Sequence, residues 1–295
     1  MEHSGSNGGN PPTPPLLSRE PSAVPAIDGR GGLARLVSGI TALDEGAMAA
    51  TRRRLDDLTK PLGSLGQLEE TMIRLAGITG THTPLVDHKC IVIMCADNGV
   101  TDEGVSSCPK EVTATVTGNF TRGLTGVNVF SRLAGSAIRI VDIGVASEVE
   151  AEGIHRHKVM PGTANMAKGP AMDESQALQA IAVGISAVET LKRNGCQLLG
   201  TGEMGIGNTS TSTAVTAVLT GKPVSLVVGR GSGLSDAALA HKTEVIVRAI
   251  SLNRCDPADP LAVLARVGGL DIAGLVGCYL GAAIHRLPIV IDDTP

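Results

Sequence analysis

Aromatic side chains are nearly missing from this chain, whose 295 residues hold two Phe, one Tyr and no Trp. Its core must rest on Leu, Ile, Val, Ala and Met, and a hydrophobic content of 42% suffices for one large domain or two modest ones. The same lack argues against single-strand nucleic-acid binding, which leans on base stacking, and a formal net charge of -4 offers no basic surplus for phosphate backbones. No apolar run approaches the length of about 18 residues that a membrane helix needs. The nearest, Ile272 to Ile284, contains Gly274, Gly277 and Gly281 and reads as a core helix. No positively charged start with an apolar segment behind it marks a secretory signal. The six cysteines, Cys90, Cys95, Cys108, Cys196, Cys255 and Cys278, form no C-x-x-C pair, so reduced, mostly buried thiols in a cytoplasmic protein are expected.

What the chain has in quantity is glycine, concentrated in Gly200-Thr201-Gly202-Glu203-Met204-Gly205-Ile206-Gly207-Asn208-Thr209. Gln197-Leu198-Leu199 before it reads as a buried strand, and Ala214 to Leu219 after it as a helix. A glycine turn between strand and helix lets backbone N–H groups approach an anion at the positive helix end, most simply a phosphate. Glu203, placed inside this turn, would be repelled by a phosphate and is expected to face another part of a substrate. The plainer reading is a tight turn whose Ser and Thr cap a helix.

Residues 1–30, rich in Pro, Gly and Ser, read as a disordered tail. Residues 31–84 read as a helical part with a linker. There Leu33, Leu36, Val37 and Ile40 recur at helix spacing, Arg52-Arg53-Arg54 reads as a solvated face, and Ser64 with Gln67 as a capping box. From residue 85 to 295 apolar runs alternate with helices. The runs are Cys90 to Cys95, Ala137 to Val141, Cys196 to Leu199, Val224 to Val228 and Leu287 to Ile291, and Asp173 is placed to cap a helix through Arg193. The pattern predicts an α/β fold with a doubly wound, mostly parallel sheet. Each run ends in a polar or glycine turn, which gathers polar groups where such sheets bind ligands. Gly229-x-Gly231-x-Gly233 partly imitates a dinucleotide fingerprint but lacks the acidic strand end about 20 residues on, so NAD-dependent oxidoreduction is a weak alternative. His155-x-His157 has no further ligand at metal spacing and reads as a solvated loop.

Lys60-Pro61-Leu62-Gly63-Ser64-Leu65-Gly66, Ala96-Asp97-Asn98-Gly99-Val100, Gly104-Val105-Ser106, Asp142-Ile143-Gly144-Val145, Gly162 to Met166, Gly202 to Thr209 and Gly268-Gly269 resemble, in that order, the nicotinate-nucleotide dimethylbenzimidazole phosphoribosyltransferase family. The resemblance implies transfer of ribose 5-phosphate from nicotinate mononucleotide to dimethylbenzimidazole, giving α-ribazole phosphate and nicotinate in assembly of the cobalamin lower ligand. It implies a homodimer whose chains have a Rossmann-like large domain and a smaller helical domain built from both ends of the chain, and no metal or redox cofactor. It places Gly205, Ile206, Gly207 and Asn208 at the nucleotide, Lys242 on phosphate, Asp292 near the ribose and Ser107 along the benzimidazole pocket. Glu203, the carboxylate of the signature loop, is the candidate acid or base. The family's usual general base is a Glu in a segment after the last strand, which this sequence does not reach. Asn98, Cys108, Thr115 and Asp293 also depart from the family pattern. A second expectation is therefore a catalytically silent nucleotide-binding paralogue acting with a full-length partner.

Overall fold

The computed structural model describes Val24 and residues 26–291. Most of the tail predicted for residues 1–30 lies outside these residues, as does Asp292. The helical pattern begins slightly earlier than predicted, with α1 at Gly29–Ser38, followed by α2 (Glu45–Asp56) and α3 (Gln67–Thr79). Asp44 caps α2 by accepting a hydrogen bond from the Ala47 N–H at 2.8 Å. The capping box expected at Ser64 and Gln67 does not form. Gly66 occupies the cap of α3 with no side-chain cap. Glu69 instead turns back to accept from the Leu65 N–H at 3.1 Å and pairs with Lys60 at 2.8 Å.

Beyond them come β1 (Lys89–Ala96), a 3-10 turn (Gly99–Glu103), α4 (Val112–Thr121), α5 (Gly126–Ala134), β2 (Ser136–Gly144) and β3 (Ile154–Arg156). The chain continues through α6 (Glu174–Arg193), β4 (Leu198–Met204), α7 (Asn208–Thr220) and the four-residue α8 (Val224–Val227). It closes with α9 (Asp236–Asn253), α10 (Pro260–Val267), α11 (Leu270–Ile284) and β5 (Ile289–Val290). Among the described residues the strands form one parallel sheet in the order β3-β2-β1-β4-β5. The α/β fold read from the sequence is thus the fold observed.

Two runs were misassigned. Val224 to Val228, β-branched enough to read as a strand, follows Pro223 and folds as α8, with Val224, Val227 and Val228 packed among side chains of α7 and α9 and Leu226 exposed. Gly229-x-Gly231-x-Gly233 therefore follows a helix, which removes the strand that a dinucleotide fingerprint requires. In the other direction, His155 does not sit in a solvated loop. It lies in β3, opposite Val141, and is buried.

Both faces of the sheet are covered, which explains why its strands read as continuous apolar runs. In β1, Cys90, Val92, Met94 and Ala96 pack toward α6 and α11, while Ile91, Ile93 and Cys95 pack on the other side with Phe120 and Val116 of α4. A third apolar cluster joins α7, α9 and α10 to Val100, Val105 and Met166. Because β1 lies between β2 and β4, and the chain crosses over to β4 only after β3, the strand order reverses at β1/β4. Ligand crevices of open parallel sheets lie at the carboxyl ends on either side of such a reversal.

Candidate active site

Glu203 stands at that point, paired in register with Met94 of β1. It belongs to β4 and not to the turn, because β4 runs on through Gly200 and Gly202 to Met204. The turn is shorter than expected, Gly205 to Gly207, and α7 starts at Asn208, well ahead of Ala214. Gly207 at the cap has φ +91°, a conformation that a residue with a Cβ rarely adopts. No side chain caps α7, whose Asn208 and Ser210 N–H groups donate to the Gly205 and Gly207 carbonyls at 3.1 and 2.9 Å, and the positive end of the helix dipole lies at this turn. The Ile206 N–H donates to Thr113 Oγ1 of α4 at 3.0 Å, which fixes the turn against the sheet's other flank.

The Asn208 amide donates to Glu203 Oε2. Across the same cavity, of about 180 Å³ and lined also by Ser212, Ile272 and Tyr279, lies Asp271 in the first turn of α11. Asp271 is fully buried. Its Oδ1 accepts from the Ile272 N–H at 3.0 Å, whereas Oδ2 and both amide atoms of buried Asn98 lack a hydrogen-bond partner of good geometry. Two glycines make room for this arrangement. A Cβ on Gly205 would collide with the Ala96 carbonyl and come 3.0 Å from both Asn98 Nδ2 and Asp271 Oδ2, and one on Gly269 would collide with Asp271 Oδ1.

Burial, and after it the neighbouring Asp271, raise the Glu203 pKa to about 7, against the lowering effect of the Asn208 amide. Burial likewise raises that of Asp271 to about 6, with backbone N–H groups and the nearby Asn98 and Asn208 amides holding the rise back. A carboxyl poised near neutrality at the mouth of a parallel sheet suits proton transfer.

One residue past Asn208, Thr209 Oγ1 accepts from Lys242 Nζ at 2.7 Å, and the Gly229 carbonyl accepts from it at 3.1 Å. Lys242 has no exposed surface, and none of the ion pairs among the described residues involves it. Burial lowers its pKa to about 8. A buried cation without a carboxylate beside an uncapped helix N-terminus favours an anion. Ser107, exposed, joins the same loop from the other side through Ser232, Oγ to Oγ at 2.6 Å. The structure thus links Glu203, Gly205, Gly207 and Asn208 directly, and Lys242 through Thr209, while Ser107 is connected only through the Gly229–Gly233 loop. A larger cleft at Arg30 offers no comparable charge, since its guanidinium is shared between Glu174 and Asp259. Among the described residues no group of three His, Cys, Asp or Glu side chains could hold a metal ion.

A family model described as phosphoribosyltransferase matches residues 40–294. The nicotinate-nucleotide–dimethylbenzimidazole phosphoribosyltransferase of Clostridium acetobutylicum is 55% identical over 257 residues, covering 87% of this chain and 73% of that protein. The chain belongs to this family. A second member, from Acetivibrio thermocellus, is 58% identical over 245 residues, covering 83% and 70% of the two chains. The crystal structure of CobT from Thermus thermophilus matches with a TM-score of 0.78 at 41% identity, over 84% of this chain and 74% of that one.

Within this phosphoribosyltransferase, sequence reasoning missed Asp271, Thr209 and the Gly229 carbonyl. Asp271 left one signal: it is the only charged residue in Leu270–Ile284, directly after Gly268-Gly269 and Leu270. A lone carboxylate at the head of an apolar helix has to be kept for something other than solubility. Nothing comparable marks a backbone carbonyl.

Proposed function

We propose that this chain transfers ribose 5-phosphate from nicotinate mononucleotide to dimethylbenzimidazole, releasing nicotinate and forming α-ribazole phosphate. The observation that carries the reading is the uncompensated Lys242 ammonium beside the head of α7, one residue along from the Glu203–Asn208 pair. Lys242, Thr209 and the turn from Gly205 to Gly207 hold the phosphate and its nucleotide, and Ile206 covers it. Asp292 serves the ribose side and Ser107 the acceptor side.

In the reaction, the bond from the anomeric carbon to the pyridinium nitrogen breaks, and its electron pair stays on nitrogen, so neutral-ring nicotinate departs. One ring nitrogen of dimethylbenzimidazole forms the new bond, and the proton on its other nitrogen must leave. Glu203, in its ionised form, takes that proton and also offsets the positive charge that develops on the ribose. Holding the two substrates in line supplies much of the remaining acceleration. The family resemblance supports a homodimer, and the exposed apolar face of α5, with Val129, Phe130 and Leu133, offers a surface for a second copy.

The test is product formation by the purified chain from nicotinate mononucleotide and dimethylbenzimidazole, run beside calorimetry of nucleotide binding. Nicotinate and α-ribazole phosphate should appear in equal amounts. Binding without turnover would favour a silent nucleotide-binding protein that acts with a partner.

A further inference from the structure

Glu203 does not stand alone in its cavity. Asp271 lines the same 180 Å³ space from α11, Asn208 lines it from α7 while donating to Glu203, and nothing in the transfer chemistry yet uses Asp271. Its Oδ1 is tied to the Ile272 N–H, which fixes the carboxylate plane and leaves Oδ2 directed at Gly205 and Asn98 with no partner of good geometry. Two glycines, Gly205 and Gly269, keep clear the space this carboxylate occupies. We propose that Asp271 is a positioning residue for Glu203: its buried charge, set across the shared cavity from the Glu203–Asn208 pair, joins burial in setting the protonation state in which Glu203 meets the incoming ring nitrogen. The inference rests on the transferase reading above for the use made of that proton, though the pairing itself does not.

Like charges in one buried cavity cannot both ionise at little cost, so the pair gives up its two protons in separate steps. The groups facing Glu203 from neighbouring elements are few. From α11 they are Asp271 and the Tyr279 hydroxyl, which lies 3.2 Å from Thr201 Oγ1. From β1 comes the Cys95 thiol, fully buried and pushed well above its ordinary range by burial, so it stays neutral. The short β5 and the helix α4 contribute no titratable side chain, and from α7 comes Asn208. Among the described residues Asp271 is therefore the one like charge that faces Glu203 across the cavity, and Asn208 is the one donor that opposes it.

The experiment is a carboxyl-carbon NMR titration of protein labelled at glutamate, with the Glu203 signal assigned as the one missing from Glu203→Gln. Wild type should titrate near neutrality. In Asp271→Asn, which keeps the acceptor for the Ile272 N–H, the Glu203 midpoint should fall by about one pH unit or more. In Asn208→Ala it should rise. With turnover measured on the same proteins, the acid limb of kcat/KM should move down with the midpoint in Asp271→Asn, while nucleotide affinity stays within about twofold. A Glu203 midpoint unmoved by Asp271→Asn would overturn the pairing whatever the turnover. Absence of turnover in wild type would overturn the transferase reading and leave the pairing to be judged by the titration alone. If Asp271→Asn fails to fold, Asp271→Ser removes the same charge and decides: its Glu203 midpoint should also fall, and an unmoved midpoint there contradicts the proposal.

Discussion

Lys242 is the residue whose environment asks most for a ligand. Its ammonium is fully buried, holds a threonine hydroxyl and a carbonyl, and is paired with no carboxylate among the described residues. Replacing it by methionine should raise the KM for nicotinate mononucleotide about 10- to 100-fold, the size of a charge-assisted phosphate contact, with a smaller effect on kcat. Steady-state kinetics check this. The same change should stabilise the empty protein, since burial disfavours the charged form. The sign follows from the shift. The folded pKa, about 8, lies below the ordinary value of 10.5, so the unfolded chain binds more protons between them and stability rises with pH through that window. The gain from Lys242→Met, read by thermal melting, should be largest below pH 8 and fade toward pH 10.5.

At the level of elements, the contact between α6 and α11 is made close by glycine. A Cβ on Gly277 would collide with the Ile181 carbonyl, and one on Gly281 would come 3.0 Å from Ile185 Cα. Gly→Ala in a free helix gains up to about 1 kcal/mol of propensity. Here the collision with backbone should outweigh it, and Gly277→Ala should lose about 1–3 kcal/mol in chemical denaturation. The elements themselves were mostly legible in the sequence. The parallel sheet shows as continuous Val and Ile runs because both its faces are covered, and Asp173 caps α6 as its spacing implies, accepting from the Gln176 N–H at 2.8 Å. Val224 to Val228 misled for the same reason that β1 did not: a short apolar run looks alike in a strand and a buried helix turn, and here Pro223 and packing against α7 and α9 settle it. β3 went unseen because three residues at a sheet edge carry too little pattern. In the site, the glycine-rich signature betrayed Glu203 and Asn208, which are local to it. Asp271 and Lys242 reach it from helices 68 and 39 positions beyond Glu203, and composition and spacing record nothing of that meeting.

For the whole molecule, the buried acid pair imposes a pH dependence on stability. Folding raises Glu203 from 4.5 to about 7, so between these values the native state keeps a proton that the unfolded chain has released. Stability is therefore fully supported by this group below pH 4.5 and declines as pH rises to 7, by up to about 3 kcal/mol at about 1.36 kcal/mol per unit. Asp271, raised from 3.8 to about 6, adds a loss of the same sign. Glu203→Gln should melt progressively higher than wild type as pH is raised from 4.5 to about 7, and a melting series checks it. A bound anion at Lys242 would act oppositely, stabilising the nucleotide complex at neutral pH by mass action. The fold thus holds a costly carboxyl pair and a costly lysine on either side of one turn. The most direct measurement is the turnover of Glu203→Gln with nicotinate mononucleotide and dimethylbenzimidazole, taken together with its calorimetric affinity for the nucleotide. Turnover should fall about 100-fold or more while affinity changes little. Turnover at the wild-type rate would contradict the role given to Glu203 and send the search for the base elsewhere.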